Sequence, residues 1–298
     1  MLLIDKPAGM TSHDVVRQVR RICHTRKVGH AGTLDPLATG VLLVAVGDGT
    51  KILQFLLADN KSYRATFKLG ITTDTLDAEG QVLQKRAVAE GSLAQLETVC
   101  EQFRGAIEQI PPMYSALKKN GVPLYKFARR GEVVKREPRQ VTISRLEILQ
   151  TDFPDITIEV DCSKGTYIRS LVADIGEALG CGAHLTALRR LKSGAFSIND
   201  CASLEQLQPV NDSTPQLLTL DQALFDYPAV QLDETAAKAL TCGVPPRLEQ
   251  VDIIGHIEVG QVVRLRAAET LAAMARFAPH RLREKRGDFE LIRVFVGQ

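Results

Sequence analysis

Several absences bound this chain before any motif is read. Its 298 residues hold no uninterrupted apolar run approaching the roughly 20 residues of a membrane-spanning helix, so no membrane partner is expected. Asp5, Lys6 and Pro7 interrupt Met1–Ile4 at once, which argues against a secretory signal. Cysteine is sparse and scattered. Cys23, Cys100, Cys162, Cys181, Cys201 and Cys242 form no C-x-x-C pair and no ligand spacing. Neither a disulfide framework nor a zinc site is expected, and scattered thiols suit a reduced, cytoplasmic setting. There is no internal repeat and no low-complexity block. Hydrophobic residues at 45% and charged residues at 24% exclude wholesale disorder, and the length allows two domains with a well-buried core.

Net charge is also small, a formal +2, but it is unevenly spread. Residues 1–30 carry six Lys or Arg against two acids, residues 111–139 eight against two, and residues 276–286 five against one. The rest of the chain is therefore acidic. A single basic run is usually a solvated face, whereas three set against an acidic remainder favour a polyanionic partner.

The most constrained stretch is Val28–Leu42, V-G-H-A-G-T-L-D-P-L-A-T-G-V-L. Pro36 fixes its own φ and pushes Asp35 out of helical geometry. Gly29, Gly32 and Gly40 permit shapes or close approaches that a Cβ resists. Beyond them Val41–Val46 is a short apolar run of buried-strand type. Asp35 thus sits on a stiff loop at the lip of a sheet, with His30 five residues upstream. Spacing alone leaves turn-capping and catalysis evenly matched for this carboxylate.

Around that loop, Leu2–Gly9 reads as a strand entering a turn, and Thr11 with Asp14 as a capping box. Val15, Val16, Val19, Ile22 and Cys23 share one face of the helix that follows. Lys6 reads by default as a surface lysine. Thr50–Leu57 is predicted helical. Tyr63–Leu69 alternates as a half-buried strand, with Tyr63, Ala65, Phe67 and Leu69 on one side; a core aromatic is the default for Tyr63. Thr72–Gly80 is an acidic loop whose spacing does not match a calcium site. Leu93, Leu96, Val99, Cys100 and Phe103 predict an amphipathic helix.

Gln109–Gly131 interleaves Tyr114, Tyr125 and Phe127 with Lys118, Lys119, Lys126, Arg129 and Arg130. Aromatics among cations suit looped RNA, where bases stack and phosphates need neutralising, although a flexible basic hairpin has the same composition. Val141–Ile148 and Ile156–Asp161 read as strands, and Cys162–Leu171 leads into a helix. Tyr167 and Arg169 stand at that junction, where a surface ion pair is the default for the arginine. Leu188–Lys192 is a further cationic cluster. The sequence loosens from about Asn211 to Tyr227, and a small β-rich unit follows, with Val262–Leu265 and Phe289–Val296 its clearest strands and Arg276–Arg286 its basic run.

Taken together, five motifs resemble the TruB family, the bacterial tRNA pseudouridine-55 synthases. D-K-P-A-G-M-T-S, G-H-A-G-T-L-D-P-L-A-T-G-V-L, Y-R-A-T-F-K-L-G, Q-I-P-P-M-Y-S-A-L-K and K-G-T-Y-I-R-S-L occur in that family's order, between Leu3 and about Lys192. The C-terminal resemblance, to a PUA-type RNA-binding module, is weaker. The resemblance implies an α+β fold: a catalytic domain on a mixed, largely antiparallel sheet over residues 1–228, with an RNA-binding insertion at about 109–139. A small PUA-like domain over 229–298 would follow.

It further implies isomerisation of a uridine in the tRNA T loop, without cofactor, metal or obligatory protein partner, by a monomer. Asp35 matches the catalytic aspartate and Arg169 the arginine that orients it. Tyr63 matches the residue stacking on the target base and a candidate for proton removal from C5. Tyr167 and Leu188 match pocket residues, though Leu191 competes with Leu188. His30 matches a histidine filling the gap left by the flipped base. Lys118, Lys119, Arg129 and Arg130 fall in the segment expected to close over the T stem-loop. Two rivals share these features: a guide-RNA-dependent synthase, against which the long insertion argues, and an RNA-folding chaperone with incidental catalysis.

Overall fold

In the computed structural model, residues 1–57, 60–89, 91–207, 217–279 and 287–295 are described. A nine-stranded mixed sheet forms the larger unit. Its main path runs Leu2–Lys6, Thr39–Val46, Ala183–Ser193, Lys61–Leu69, Asp155–Cys162, Arg139–Asp152 and Gly105–Gln109. Along that path the pairs are antiparallel except Thr39–Val46 with Ala183–Ser193, so the expected mixed, largely antiparallel sheet is present. The alternation read in Tyr63–Leu69 has its physical basis in the pleat: Tyr63, Ala65, Phe67 and Leu69 are buried on the face covered by helices Ser92–Gln102 and Ile168–Ala178.

Against the strand Thr39–Val46 that follows the Asp35 loop, helix Ser12–Ile22 buries Val15, Val16 and Val19 among Leu2, Ile4, Leu42 and Val44. Each buried valine contributes roughly 1.5–3 kcal/mol. Its start is fixed by the expected capping box: Asp14 N–H donates to Thr11 Oγ1 (3.1 Å) and Thr11 N–H to Asp14 Oδ2 (2.9 Å). Thr50–Leu57 is less regular than expected, a 3₁₀ segment over Gly47–Ile52 passing into a single α-turn at Leu53–Leu56. The segment beyond Gln109 leaves one strand and returns on its neighbour, where Arg139 pairs with Gln109. Between them lie a two-stranded hairpin (Lys118–Lys119 with Val122–Pro123) and the short helix Leu124–Ala128.

A second, five-stranded sheet follows in the order Val251–Ile254, Ala229–Leu232, Val262–Ala267, Thr270–Phe277 and Phe289–Val294. It packs on the first unit: Leu271, Met274 and Phe295 join Met1, Val41, Leu43 and Phe55 in one apolar cluster. Arg264 and Arg266 do not present a free basic face, because both pair with Asp221 (2.9 and 3.3 Å). Most of the basic run Arg276–Arg286, and the first third of the loosened stretch Asn211–Tyr227, lie outside the described residues. No described helix is long and apolar enough to cross a membrane. All six cysteines are free thiols.

Candidate active site

The loop carrying Asp35 is tied down from several directions. Ala38 N–H donates to Asp35 O (3.1 Å), closing the Asp-Pro turn. Ser12 Oγ donates to Leu34 O and accepts from Leu34 N–H (3.1 and 2.8 Å). Gly9 N–H and Lys6 Nζ both donate to Pro36 O (2.9 and 3.3 Å). At Gly40, φ is +100° and an added Cβ would lie 2.2 Å from the Arg190 carbonyl oxygen, so only glycine allows the neighbouring strand to seat.

Lys6 departs most from its surface reading. It is fully buried, and Nζ also donates to Pro7 O and Met10 O (2.8 and 2.5 Å). Burial pulls its pKa down from 10.5 to about 8, against the attraction of Asp35 and Glu79. Lys6→Met should therefore leave three carbonyl oxygens short of a donor and cost about 2–4 kcal/mol. Chemical denaturation would show it, and a loss under 1 kcal/mol would mean that the lysine does not hold this turn.

Arg169 lies in the first turn of helix Ile168–Ala178, after Tyr167 with extended backbone (φ −101°, ψ 107°). It is 4% exposed, so the surface ion pair gives way to a buried hub. Its Nε lies 3.0 Å from Asp35 Oδ2, and its Nη1 3.5 Å from Asp77 Oδ2. Nη1 donates to Thr75 O (2.8 Å) and Nη2 to Tyr114 O (2.7 Å). One guanidinium thus joins the Asp35 carboxylate, the acidic loop and the root of the basic insertion. That root is held twice more: Gln109 exchanges two hydrogen bonds with the Tyr167 backbone, and Ser170 Oγ donates to Ile110 O.

The Asp35 side chain is 38% exposed, opening into a cleft of about 600 Å³ lined also by Tyr63, Tyr167, Arg169, Leu188 and Arg190. Burial by the cleft walls pushes its pKa up; Arg169 opposes this and Asp77 adds to it. Burial likewise raises the phenols of Tyr63 and Tyr167. Leu188 lines the cleft and Leu191 does not, which separates two leucines the sequence left ambiguous. Lys61 and Lys164 supply positive charge at the walls.

The remaining candidates stand outside that lining. His30 is half-buried on the strand Val28–Ala31, its Nδ1 without a partner. Burial, Arg190 and His13 all lower its pKa. Lys118, Lys119, Arg129 and Arg130 are exposed on the insertion, with Arg129 over the Tyr125 ring at 5.4 Å. Asp77 and Arg190 were not singled out from sequence. Asp77 is one of three acids within 74–79, and nothing in the spacing shows that it turns inward while Glu79 stays exposed. Among the described residues no three of His, Cys, Asp or Glu converge as metal ligands.

This architecture has solved counterparts. The chain superposes with a TM-score of 0.76 on a chain in a structure titled "Structure of H/ACA RNP bound to a substrate RNA containing 2'-deoxyuridine". The match is 26% identical and covers 99% of this chain and 84% of that one. A second match, in "Crystal Structure of a Cbf5-Nop10-Gar1 Complex", has the same TM-score at 28% identity, covering 98% and 84%. The fold is thus that of the Cbf5/TruB-type pseudouridine synthases.

Sequence comparison narrows the class. The profile of the TruB family pseudouridylate synthase N-terminal domain matches residues 20–168, and that of the tRNA pseudouridylate synthase B C-terminal domain residues 169–225. A protein named tRNA pseudouridine synthase B from Syntrophotalea carbinolica is 50% identical over 297 residues, 99% of this chain and 97% of its own. The protein of that name from Pseudomonas aeruginosa is 45% identical over 289 residues, 95% of each. The chain belongs to the TruB family of pseudouridylate synthases.

Proposed function

We propose that this protein converts a uridine of the tRNA T loop, position 55, to pseudouridine, acting in the cytoplasm as a monomer without cofactor or obligatory protein partner. The observation that carries the reading is the Asp35–Arg169 pair at 3.0 Å inside a cleft large enough for a nucleotide and walled by Tyr63 and Tyr167. The reaction breaks C1′–N1, turns the base and joins C1′ to C5. Asp35 is the catalytic carboxylate, by attack on C1′ or C6 or by taking the C2′ proton. Each use requires an anion held rigidly, and the pinned loop with Arg169 alongside supplies both conditions. Tyr63 stacks on the base, Tyr167 and Leu188 bound its pocket, and His30 occupies the gap it leaves in the RNA. Extruding the base costs a few kcal/mol, which these contacts offset.

Residues 229–298, whose sheet begins at Ala229, form in this reading the PUA-like RNA-binding unit, and the first 228 residues the catalytic domain. Incubating purified protein with unmodified tRNA and mapping pseudouridine tests the proposal; no product at the T-loop uridine would overturn it. Product on an isolated T stem-loop would exclude a guide-RNA requirement. Lys118, Lys119, Arg129 and Arg130 cradle phosphates in this scheme. Neutralising all four should flatten the slope of log K against log salt by about 3–3.5, since each phosphate contact contributes about 0.7–0.9. Binding titrations across salt read this directly, and an unchanged slope would remove the insertion from the RNA interface.

A further inference from the structure

Arg190 is a fully buried arginine, 1% exposed. Among the described residues no carboxylate lies within ion-pair distance of it. Its Nε donates to Val41 O (2.6 Å) and its Nη2 to Gly32 O (3.0 Å), both neutral acceptors. Buried charge without an opposite charge is costly and needs a reason. The reason faces it across the sheet. Arg190 and Tyr63 are cross-strand partners, and both line the cleft that holds Asp35. A register shift between Arg190 and Lys192 breaks the simple alternation of that cationic strand, and Arg190 is the member that turns inward.

We propose that Arg190 is a positioning residue for Tyr63, holding its phenolic oxygen as the base that removes the C5 proton after C1′ has rejoined at C5. The inference rests on the function proposed above. In that step the C5–H bond breaks as the phenolate gains the proton, and the C5–H electron pair becomes the C5=C6 double bond. The C6=N1 pair moves onto N1, which takes a proton from water; the phenol then loses its proton to the hydroxide so formed. Burial, Cys162 and Asp35 all oppose a phenolate at Tyr63, whereas Arg190 favours one by charge and hydrogen bonding. The missing counter-charge of Arg190 is thus the Tyr63 phenolate, consumed as the C5 proton is taken and restored when the hydroxide removes it.

The test uses tRNA with 5-deuterouridine at the T-loop target. Arg190→Gln keeps a donor for the carbonyls and removes the charge, and with no facing carboxylate it strands no buried anion. Its rate should fall about 10²–10³-fold, the scale of a lost general base, with a primary deuterium effect of about 3 that wild type lacks. 3-Fluorotyrosine at position 63, a more acidic phenol, should restore at least about tenfold of that rate, a rescue no purely structural prop would show. Arg190→Lys, which keeps the charge, should lose less than about tenfold and guards against a Gln variant that fails to fold. A folded Arg190→Gln with wild-type rate, or with a slow rate but neither isotope effect nor rescue, overturns the proposal; so do equal losses in the Lys and Gln variants. Wild type active alongside any of these leaves the function standing, whereas wild type without product overturns both.

Discussion

Asp35→Asn should abolish pseudouridine formation, with a rate loss of at least about 10⁴-fold, or about 5.5 kcal/mol in the barrier. The substitution keeps the shape of the side chain and an oxygen that can accept from Arg169 Nε. It removes only the anion, and every use proposed for this residue in the reaction depends on the anion. Folding should be little affected. Arg169 retains Asp77, Thr75 O and Tyr114 O, so no buried cation is orphaned, and the Asp35 side chain already faces the open cleft. The cost should stay within about 1 kcal/mol, because Asp35 faces the cleft and the buried Arg169 keeps its other partners. Affinity for tRNA should change less than about threefold, since in the proposed scheme phosphate contacts on distant basic surfaces supply most of it. Quantifying product, melting temperature and tRNA affinity on one preparation separates these effects. Turnover within tenfold of wild type would take Asp35 out of the chemistry.

Some of this site was legible in the sequence, for physical reasons. A carboxylate before proline and between glycines reads as a constrained loop because proline and glycine restrict backbone geometry locally. Tyr63 was placeable because one covered sheet face imposes a period of two, and Thr11 with Asp14 because capping is a contact three residues apart. What stayed hidden depends on partners remote in the chain. Lys6 reads as a surface lysine until Pro36, 30 positions on, accepts from it. Arg169 meets Thr75 across 94 positions, and the same fold turns Asp77 inward while Glu79 faces water. The strand Ala183–Ser193 lies at the centre of the sheet, yet register shifts at Leu185/Ala187 and Arg190/Lys192 break its alternation, and L-R-R-L-K reads only as charge. Thr270–Phe277 was missed because L-A-A-M-A has helical propensity, which burial in the middle of the second sheet overrides. Tertiary burial, rather than local pattern, made each of these assignments.

Arg169→Met should damage fold and chemistry together, and the two losses can be separated. In the wild type this guanidinium faces two carboxylates, of which Asp77 is 3% exposed. Removing the cation leaves that buried acid without its ion-pair partner and strips donors from the Thr75 and Tyr114 carbonyls, a cost of about 3–5 kcal/mol. Adding Asp77→Asn should recover about half of that stability, because the orphaned charge is gone while the carbonyls still lack their donor. Activity should not return with it. Asp35 would have lost the cation that opposes its desolvation, so its pKa should rise further above the ordinary carboxylate value. The reaction needs the ionised form, so the acid limb of the pH–rate profile moves to higher pH in Arg169→Met. In Asp77→Asn alone the sign reverses: the like charge that raises the Asp35 pKa disappears, and the limb moves to lower pH. Denaturation of the four proteins in the double-mutant cycle, with rates between about pH 5 and 9, measures both axes. Full recovery of activity on adding Asp77→Asn would show that Arg169 serves only to neutralise Asp77, and limbs shifting in the same direction in both single variants would break the electrostatic link between the arginine and Asp35.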